Sequence, residues 1–192
     1  MSRRRIRVAA LAAVAALLAV AGGCGDDDGT APPEEPPAVL DWSVVVHDDT
    51  FDLDLRLPAE PERIVQPAHL PDGTPTDLVI YTVVDDGFEV FASMLPVDPD
   101  DVDLDAVAPG AATAVEGVLL TVSRIEVDGR PGRDAEIRIE AGAGDADGDQ
   151  LLLHRAVVLD EGLLQLQTLG AETERATLER VQNTLVDGVT SG

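Results

Sequence analysis

The sequence has no lysine, a single cysteine and few aromatic residues, which make up 3% of the chain. Its 13 basic residues are all arginines, and they are outnumbered by 37 acidic residues, so the formal net charge is −24. One cysteine cannot form a disulfide within the chain, and the fold therefore depends on its apolar core. The negative charge repels the phosphates of nucleic acids and anionic lipid headgroups, so we expect no nucleic-acid partner.

The sequence also lacks an apolar run long enough for a transmembrane helix, which needs about 20 residues. The N-terminal apolar run covers only residues 8–20. A block of arginines precedes it, and the small residues Ala21, Gly22 and Gly23 follow it. A basic segment, a short apolar segment and small residues are the three parts of a secretion signal. The sequence therefore predicts a signal peptide over residues 1–23, with the general and the twin-arginine export routes both left open.

The lone cysteine, Cys24, directly follows these small residues. This arrangement resembles the lipobox of bacterial lipoproteins, although Ala21 stands where leucine is usual. The resemblance implies cleavage before Cys24 and attachment of diacylglycerol to its thiol. Because two acyl chains anchor a protein stably, the implied location is the extracytoplasmic face of the cell membrane, with the lipid on Cys24 as the membrane contact.

Acidic residues and prolines dominate residues 24–40, which contain an aspartate triplet and two proline pairs. Repelling charges and polyproline geometry favour an extended chain without a packed core. We therefore predict a lipidated cysteine and a disordered linker over residues 24–40, followed by one globular domain over residues 41–192.

Alternating apolar and polar residues predict a sheet-rich domain. The predicted strands cover residues 42–46, 51–57, 77–84, 88–95, 119–127, 133–140, 151–159 and 163–169. We expect mostly loop over residues 58–75, which contain several prolines, and one or two short helices between residues 96 and 118, interrupted at Pro109 and Gly110. A final amphipathic helix is predicted over residues 172–186. Because the visible strand connections are hairpins, the sequence predicts an α+β fold, an antiparallel sheet with helices packed on its faces.

Three segments carry a resemblance to a known fold. Residues 51–61 read as an opening strand that ends in a proline-rich turn, residues 129–134 read Gly-Arg-Pro-Gly-Arg-Asp, and residues 155–166 form a predicted hairpin. Together with the element order, these segments resemble the PsbP-like domains, including bacterial lipoproteins of the LpqN type. The shared motifs are structural, so the resemblance implies the fold and names no catalytic group.

The chain has no recognisable catalytic motif. A G-x-S-x-G nucleophile motif is absent, and His47, His69 and His154 lack the spacing of zinc ligands. His154 is predicted to pack at a sheet surface. We therefore expect no catalytic residue, no cofactor and no enzyme activity. The less favoured alternative is an envelope hydrolase that uses Asp134 and Glu136, which a strand places on one side, facing solvent.

The closest approach to a metal motif is a run of carboxylates at every second position, Asp145, Asp147 and Asp149. Oxygen ligands at this spacing suit calcium. The run lacks the glycine at the sixth loop position and the glutamate at the twelfth that an EF-hand requires. We therefore expect no metal site, with calcium at these three aspartates as the alternative.

The favoured function is a non-enzymatic binding or scaffold module of the cell envelope. It follows from the implied anchor, the spacer and the lack of a catalytic motif. The expected partner is another envelope protein or a wall component. A calcium-binding or small-ligand-binding protein is the alternative.

Overall fold

A computed structural model describes residue 40 and residues 42–70, 73–85, 87–142 and 148–191. The predicted signal peptide, Cys24 and nearly all of the predicted linker lie outside these residues, as do Asp145 and Asp147. No helix in the described ranges has the length and apolarity needed to cross a membrane.

The described chain contains ten strands and two α-helices. The strands are β1 (Val44–Asp48), β2 (Leu53–Leu57), β3 (Glu62–His69), β4 (Pro75–Asp85), β5 (Phe88–Leu95), β6 (Val118–Val127), β7 (Arg130–Ile139), β8 (Gln150–Leu159), β9 (Gly162–Ala171) and β10 (Val189–Ser191). The helices are α1 (Leu104–Ala114) and α2 (Arg175–Asp187), and a short 3₁₀ turn precedes each of them, at Pro99–Asp101 and Glu172–Glu174.

Seven strands form the main sheet, in the order β3-β4-β5-β9-β8-β7-β6. Every pairing in it is antiparallel. A smaller antiparallel sheet has the order β1-β2-β10. Since β5 lies beside β9, the connection from β5 through α1 to β6 is a crossover and not the hairpin pattern expected throughout.

The largest core cluster lies between the main sheet, the small sheet and α2. Alternation in β2 buries Leu53, Leu55 and Leu57, as the sequence predicts. They meet inward-facing residues of β4, β5, β8 and β9 and the apolar stripe of α2, which includes Val181 and Leu185. This packing fixes α2 across β8 and β9 and leaves the same face of β6 and β7 uncovered.

Helix α1 packs on the opposite face of the main sheet. Its Val107, Ala108, Ala111 and Ala112 are buried, and the alanines let the helix approach the strands closely. The predicted interruption at Pro109 is wrong, because α1 continues through this proline. Pro109 is exposed, so its ring points away from the sheet, and burial of the apolar stripe outweighs the missing N–H.

The predicted loop over residues 58–75 is also wrong, because residues 62–69 form β3. This strand contains Pro67, which cannot donate to a ladder and is tolerated mainly on edge strands. In the described chain β3 pairs with β4 alone, which makes it such an edge. The remaining architecture, an antiparallel sheet with a helix on each face, confirms the predicted α+β fold.

Candidate binding cleft

A cleft opens between α2 and the uncovered strands β6 and β7. Alternate residues of β7 point toward it, because Asp134 lies opposite Arg155 of β8 and Glu136 lies opposite Leu153. The cleft has a volume of about 210 Å³. Its lining is mostly polar and includes Thr121, Ser123, Asp134, Glu136, Arg155, Glu179, Gln182 and Asn183.

The charged groups of the cleft are paired with one another. Arg155 donates from Nε and Nη2 to the two carboxylate oxygens of Asp134, each at 2.5 Å. Arg175 of α2 donates from Nη1 to Glu136 Oε2 at 2.6 Å, and this hydrogen bond is the main reason that the pKa of Arg175 is raised. A two-point arginine–carboxylate pair fixes both side chains in one orientation.

These pairs bear on the hydrolase alternative. The prediction that Asp134 and Glu136 lie on one side of a strand is confirmed. Both are half-buried rather than freely solvated, and each holds an arginine. The hydroxyls of Thr121 and Ser123 line the same cleft, and none of the described hydrogen bonds joins either hydroxyl to a general base.

A more apolar pocket adjoins the cleft, and the two share Arg155. Its volume is about 350 Å³, within the range of small-molecule sites. Most of its walls are aliphatic, from Leu53, Val127, Val157, Leu159, Leu164, Leu166, Val186 and Val189. Arg130 lies at the pocket and donates from Nη2 to the exposed Asp160 at 2.9 Å.

His154 does not face solvent. The register pairs it with buried Ala135, on the face covered by α1 and opposite to the cleft. Only 1% of His154 is exposed, so the histidine is a packed residue of the sheet, as the sequence predicts. One ring nitrogen, Nε2, is 3.0 Å from Gln165 Oε1, and Nδ1 has no hydrogen-bond partner among the described atoms. Burial lowers the pKa of His154, which keeps the ring neutral.

A second polar network joins the small sheet to the main one. Asp48 is buried and accepts hydrogen bonds from the backbone of Thr50 and Phe51 and, at 2.7 Å, from the Tyr81 hydroxyl. Arg63 donates from Nε to the same hydroxyl at 3.2 Å. Burial, with the bond to Asp48, raises the pKa of Tyr81. Sequence reasoning missed this network, because its members come from three strands and the turn after β1.

The sequence-predicted metal and histidine candidates are not brought together. Asp149 Oδ1 accepts from the Ala141 backbone N–H at 2.8 Å, so it closes the base of the loop between β7 and β8. His47 is bound to Asp54, which raises its pKa, and lies on a different sheet from His154. Among the described residues, no group of three or more potential ligands is placed to hold a metal ion.

No protein-family model and no curated protein matches the chain. Among solved structures, the cyanobacterial PsbP protein CyanoP from Synechocystis sp. PCC 6803 is similar, with a TM-score of 0.56 and 12% identity over 78% of this chain and 92% of that chain. LpqN of Mycobacterium tuberculosis, whose structure is described as that of a protein involved in cell envelope biogenesis, gives a TM-score of 0.41 and 16% identity over 77% of this chain and 88% of that chain. The likeness to CyanoP shows that the described domain has a PsbP-like fold, as the sequence resemblance implied.

Proposed function

We propose that this chain is a non-enzymatic binding module of the cell envelope, held at the extracytoplasmic face of the membrane by diacylglycerol on Cys24. In this proposal the cleft beside α2 binds another envelope protein or a wall component. The observation that carries it is the cleft itself, an open polar surface whose carboxylates and arginines are paired and whose hydroxyls meet no general base among the described contacts.

The point where the linker joins the domain supports this arrangement. The Leu40 backbone N–H donates to Thr184 Oγ1 of α2 at 2.9 Å. The tether therefore meets the domain at the helix that lines the cleft. An anchor and an extended spacer would hold that helix away from the lipid headgroups, where an envelope partner is accessible.

The anchor is tested by Cys24→Ser in the native host. We expect the wild-type chain in the detergent phase of a Triton X-114 partition and the variant in the aqueous phase, because a seryl oxygen is not a substrate for thiol lipidation. Ser43→Cys combined with Cys24→Ser is the matched control, since it restores a thiol away from the signal. Equal membrane association of wild type and variant would contradict the anchor.

The cleft is tested by a photo-crosslinking amino acid placed in living cells at Asn183, which lines the cleft. The control position is Val84, which is 62% exposed on β4 of the same domain. We expect one defined adduct from Asn183 that Val84 does not give. An identical pattern from both positions, or no adduct at Asn183, would count against partner binding in the cleft.

The adjoining apolar pocket favours a second candidate, the binding of a small apolar ligand. Its aliphatic walls and its volume of about 350 Å³ suit such a molecule. The dye 1-anilinonaphthalene-8-sulfonate is a suitable probe, and Val186→Trp, at the pocket wall, should abolish its fluorescence gain. Val45→Trp, at a 54% exposed position on β1, is the control and should leave the gain unchanged.

A further inference from the structure

Strand β6 is an open edge of the main sheet. It is ten residues long, and within the described ranges it pairs on one side only, with β7. The backbone N–H and C=O groups on its outer side therefore have no strand partner there. Such a row of groups is a template for pairing with another extended chain.

The two edges of this sheet differ in how they are protected. The opposite edge, β3, carries Pro67 and the charged Glu62 and Arg63, which are common devices against unwanted pairing. Residues 118–123 of β6 contain neither a charge nor a proline. They instead expose large apolar side chains, at Val118 (46%), Leu120 (38%) and Val122 (46%).

A β-bulge between Leu119 and Thr121 protects the start of β6, and the exposed charges of Arg124 and Glu126 lie further along the strand. Beyond it the strand returns to a regular register with β7, from Thr121 to Val127. Seven consecutive residues are enough for strand addition, because ordinary strands are of this length. The open part of β6 is therefore residues 121–127.

The charges around β6 indicate the chemistry of its partner. Glu116 precedes the strand, Glu126 and Asp128 lie at its other end, and the exposed Arg124 lies between them. Asp105 of α1, whose pKa is lowered mainly by Arg133 and also by Arg124, offsets part of the Arg124 charge. The three acids are exposed, and none makes an ion pair within the part of the chain that the structure describes. With a net charge of −24, a second copy of this chain would be repelled. An extended segment with a basic residue near each end would be complementary to the three acids.

The edge is continuous with the cleft. Thr121 and Ser123 lie on the open part of β6, and their side chains also line the cleft beside α2. A strand added to β6 would place every second side chain on the same face, next to these hydroxyls. Hydrogen bonds between the backbones of β6 and the partner segment would supply affinity. The cleft would determine which side chains of the partner fit beside β6.

We propose that β6 binds an extended, basic-ended segment of a partner protein by strand addition. This inference rests on the proposed partner-binding function and names the way in which the partner is held. The probe is a labelled nine-residue peptide that alternates threonine and valine between two terminal lysines, with a glutamate-ended peptide of the same core as its counterpart.

The peptides are titrated by fluorescence anisotropy against the full chain from its host, purified in detergent, while deuterium uptake is followed by mass spectrometry. We expect binding of the lysine-ended peptide, with reduced uptake over residues 118–127 and unchanged uptake over residues 62–69. Val122→Lys should weaken this binding about tenfold or more, because it places a like charge beside the peptide. Val65→Lys is the matched control, at a 45% exposed valine on the opposite edge, and should leave affinity unchanged.

Several results would overturn the inference: no binding of the lysine-ended peptide, equal binding of the glutamate-ended peptide, or protection of residues 62–69 instead. A dimer that Val122→Lys dissociates would assign the edge to a second copy and overturn it equally. Failure of the strand-addition proposal is distinguishable from failure of the proposed partner-binding function. If Val122→Lys leaves the Asn183 crosslink intact, the cleft still binds a partner and strand addition is wrong.

Discussion

The buried imidazole of His154 makes the stability of this domain depend on pH. Its ring lies beneath α1, with Gln165 as its one described hydrogen-bond partner. Burial is the main reason that its pKa is lowered from 6.5, while the Gln165 bond and the charge of Asp134 act in the opposite direction. The native ring is therefore neutral at pH values where the unfolded chain already binds a proton.

The sign and the size of the effect follow from proton linkage. As pH falls below about 6.5, the unfolded state gains a proton that the native state does not, so the free energy of unfolding decreases. One proton gives a maximum slope of about 1.4 kcal/mol per pH unit. The loss continues until the pH reaches the lowered pKa of the native ring. Well above pH 6.5 the contribution is constant, because the ring is neutral in both states.

Urea unfolding of the wild type and of His154→Leu, at pH 7.5 and at pH 5.5, measures this slope. We expect the wild type to lose more stability on acidification than the variant, whatever their difference at pH 7.5. His47→Gln is the contrasting control. Asp54 raises the pKa of His47, so this histidine favours the folded state below pH 6.5, and its removal should steepen the loss.

The reasoning about His154 would be refuted by equal slopes in the wild type and His154→Leu between pH 7.5 and 5.5. That result would mean that the native ring takes up its proton as readily as the unfolded chain does. A smaller loss of unfolding free energy in His154→Leu, with circular dichroism showing that the variant is folded, would support the buried, neutral ring.

Three further substitutions test the fold and the cleft by chemical denaturation. Asp134→Asn removes a carboxylate from Arg155 in a half-buried site and should cost about 1–3 kcal/mol; an unchanged midpoint would mean that the pair is only a surface contact. Leu166→Ala truncates a side chain that is 2% exposed in the main core and should cost about 2–5 kcal/mol. Gly162→Ala places a Cβ against the Leu95 carbonyl at a φ of +149° and should cost about 1–3 kcal/mol, whereas a neutral effect would show that the β8–β9 turn relaxes.

Local alternation was enough to predict most strands. In β2 and β7 the apolar residues recur at every second position, and the predicted inward set of β7, Ala135, Ile137 and Ile139, is buried. The edge strand β3 was missed because the five prolines of residues 58–75 indicate a loop. Only Pro67 lies within β3, and a strand with a free side tolerates one proline. The crossover that places β5 beside β9 was missed because pairing order depends on contacts between distant segments.

The cleft shows the same division between local and distant information. The period of two predicts that Asp134 and Glu136 share a side. Their partners, Arg155 and Arg175, are 21 and 39 residues away and come from a neighbouring strand and from α2. The sequence holds no local signal for those pairs. It therefore predicted two acids facing solvent, where the fold makes two ion pairs.

The charges left over after this pairing connect the cleft with the edge of the sheet. Asp134 and Glu136 are neutralised by their arginines, so they contribute little net field at the surface. Glu116, Glu126 and Asp128 have no described ion-pair partner and outnumber the exposed Arg124, so the net charge along β6 is negative. A basic-ended partner held there would bind more weakly as salt screens these exposed charges. A molecule held by the aliphatic walls of the adjoining pocket would lose little, so the salt dependence of binding separates the two surfaces.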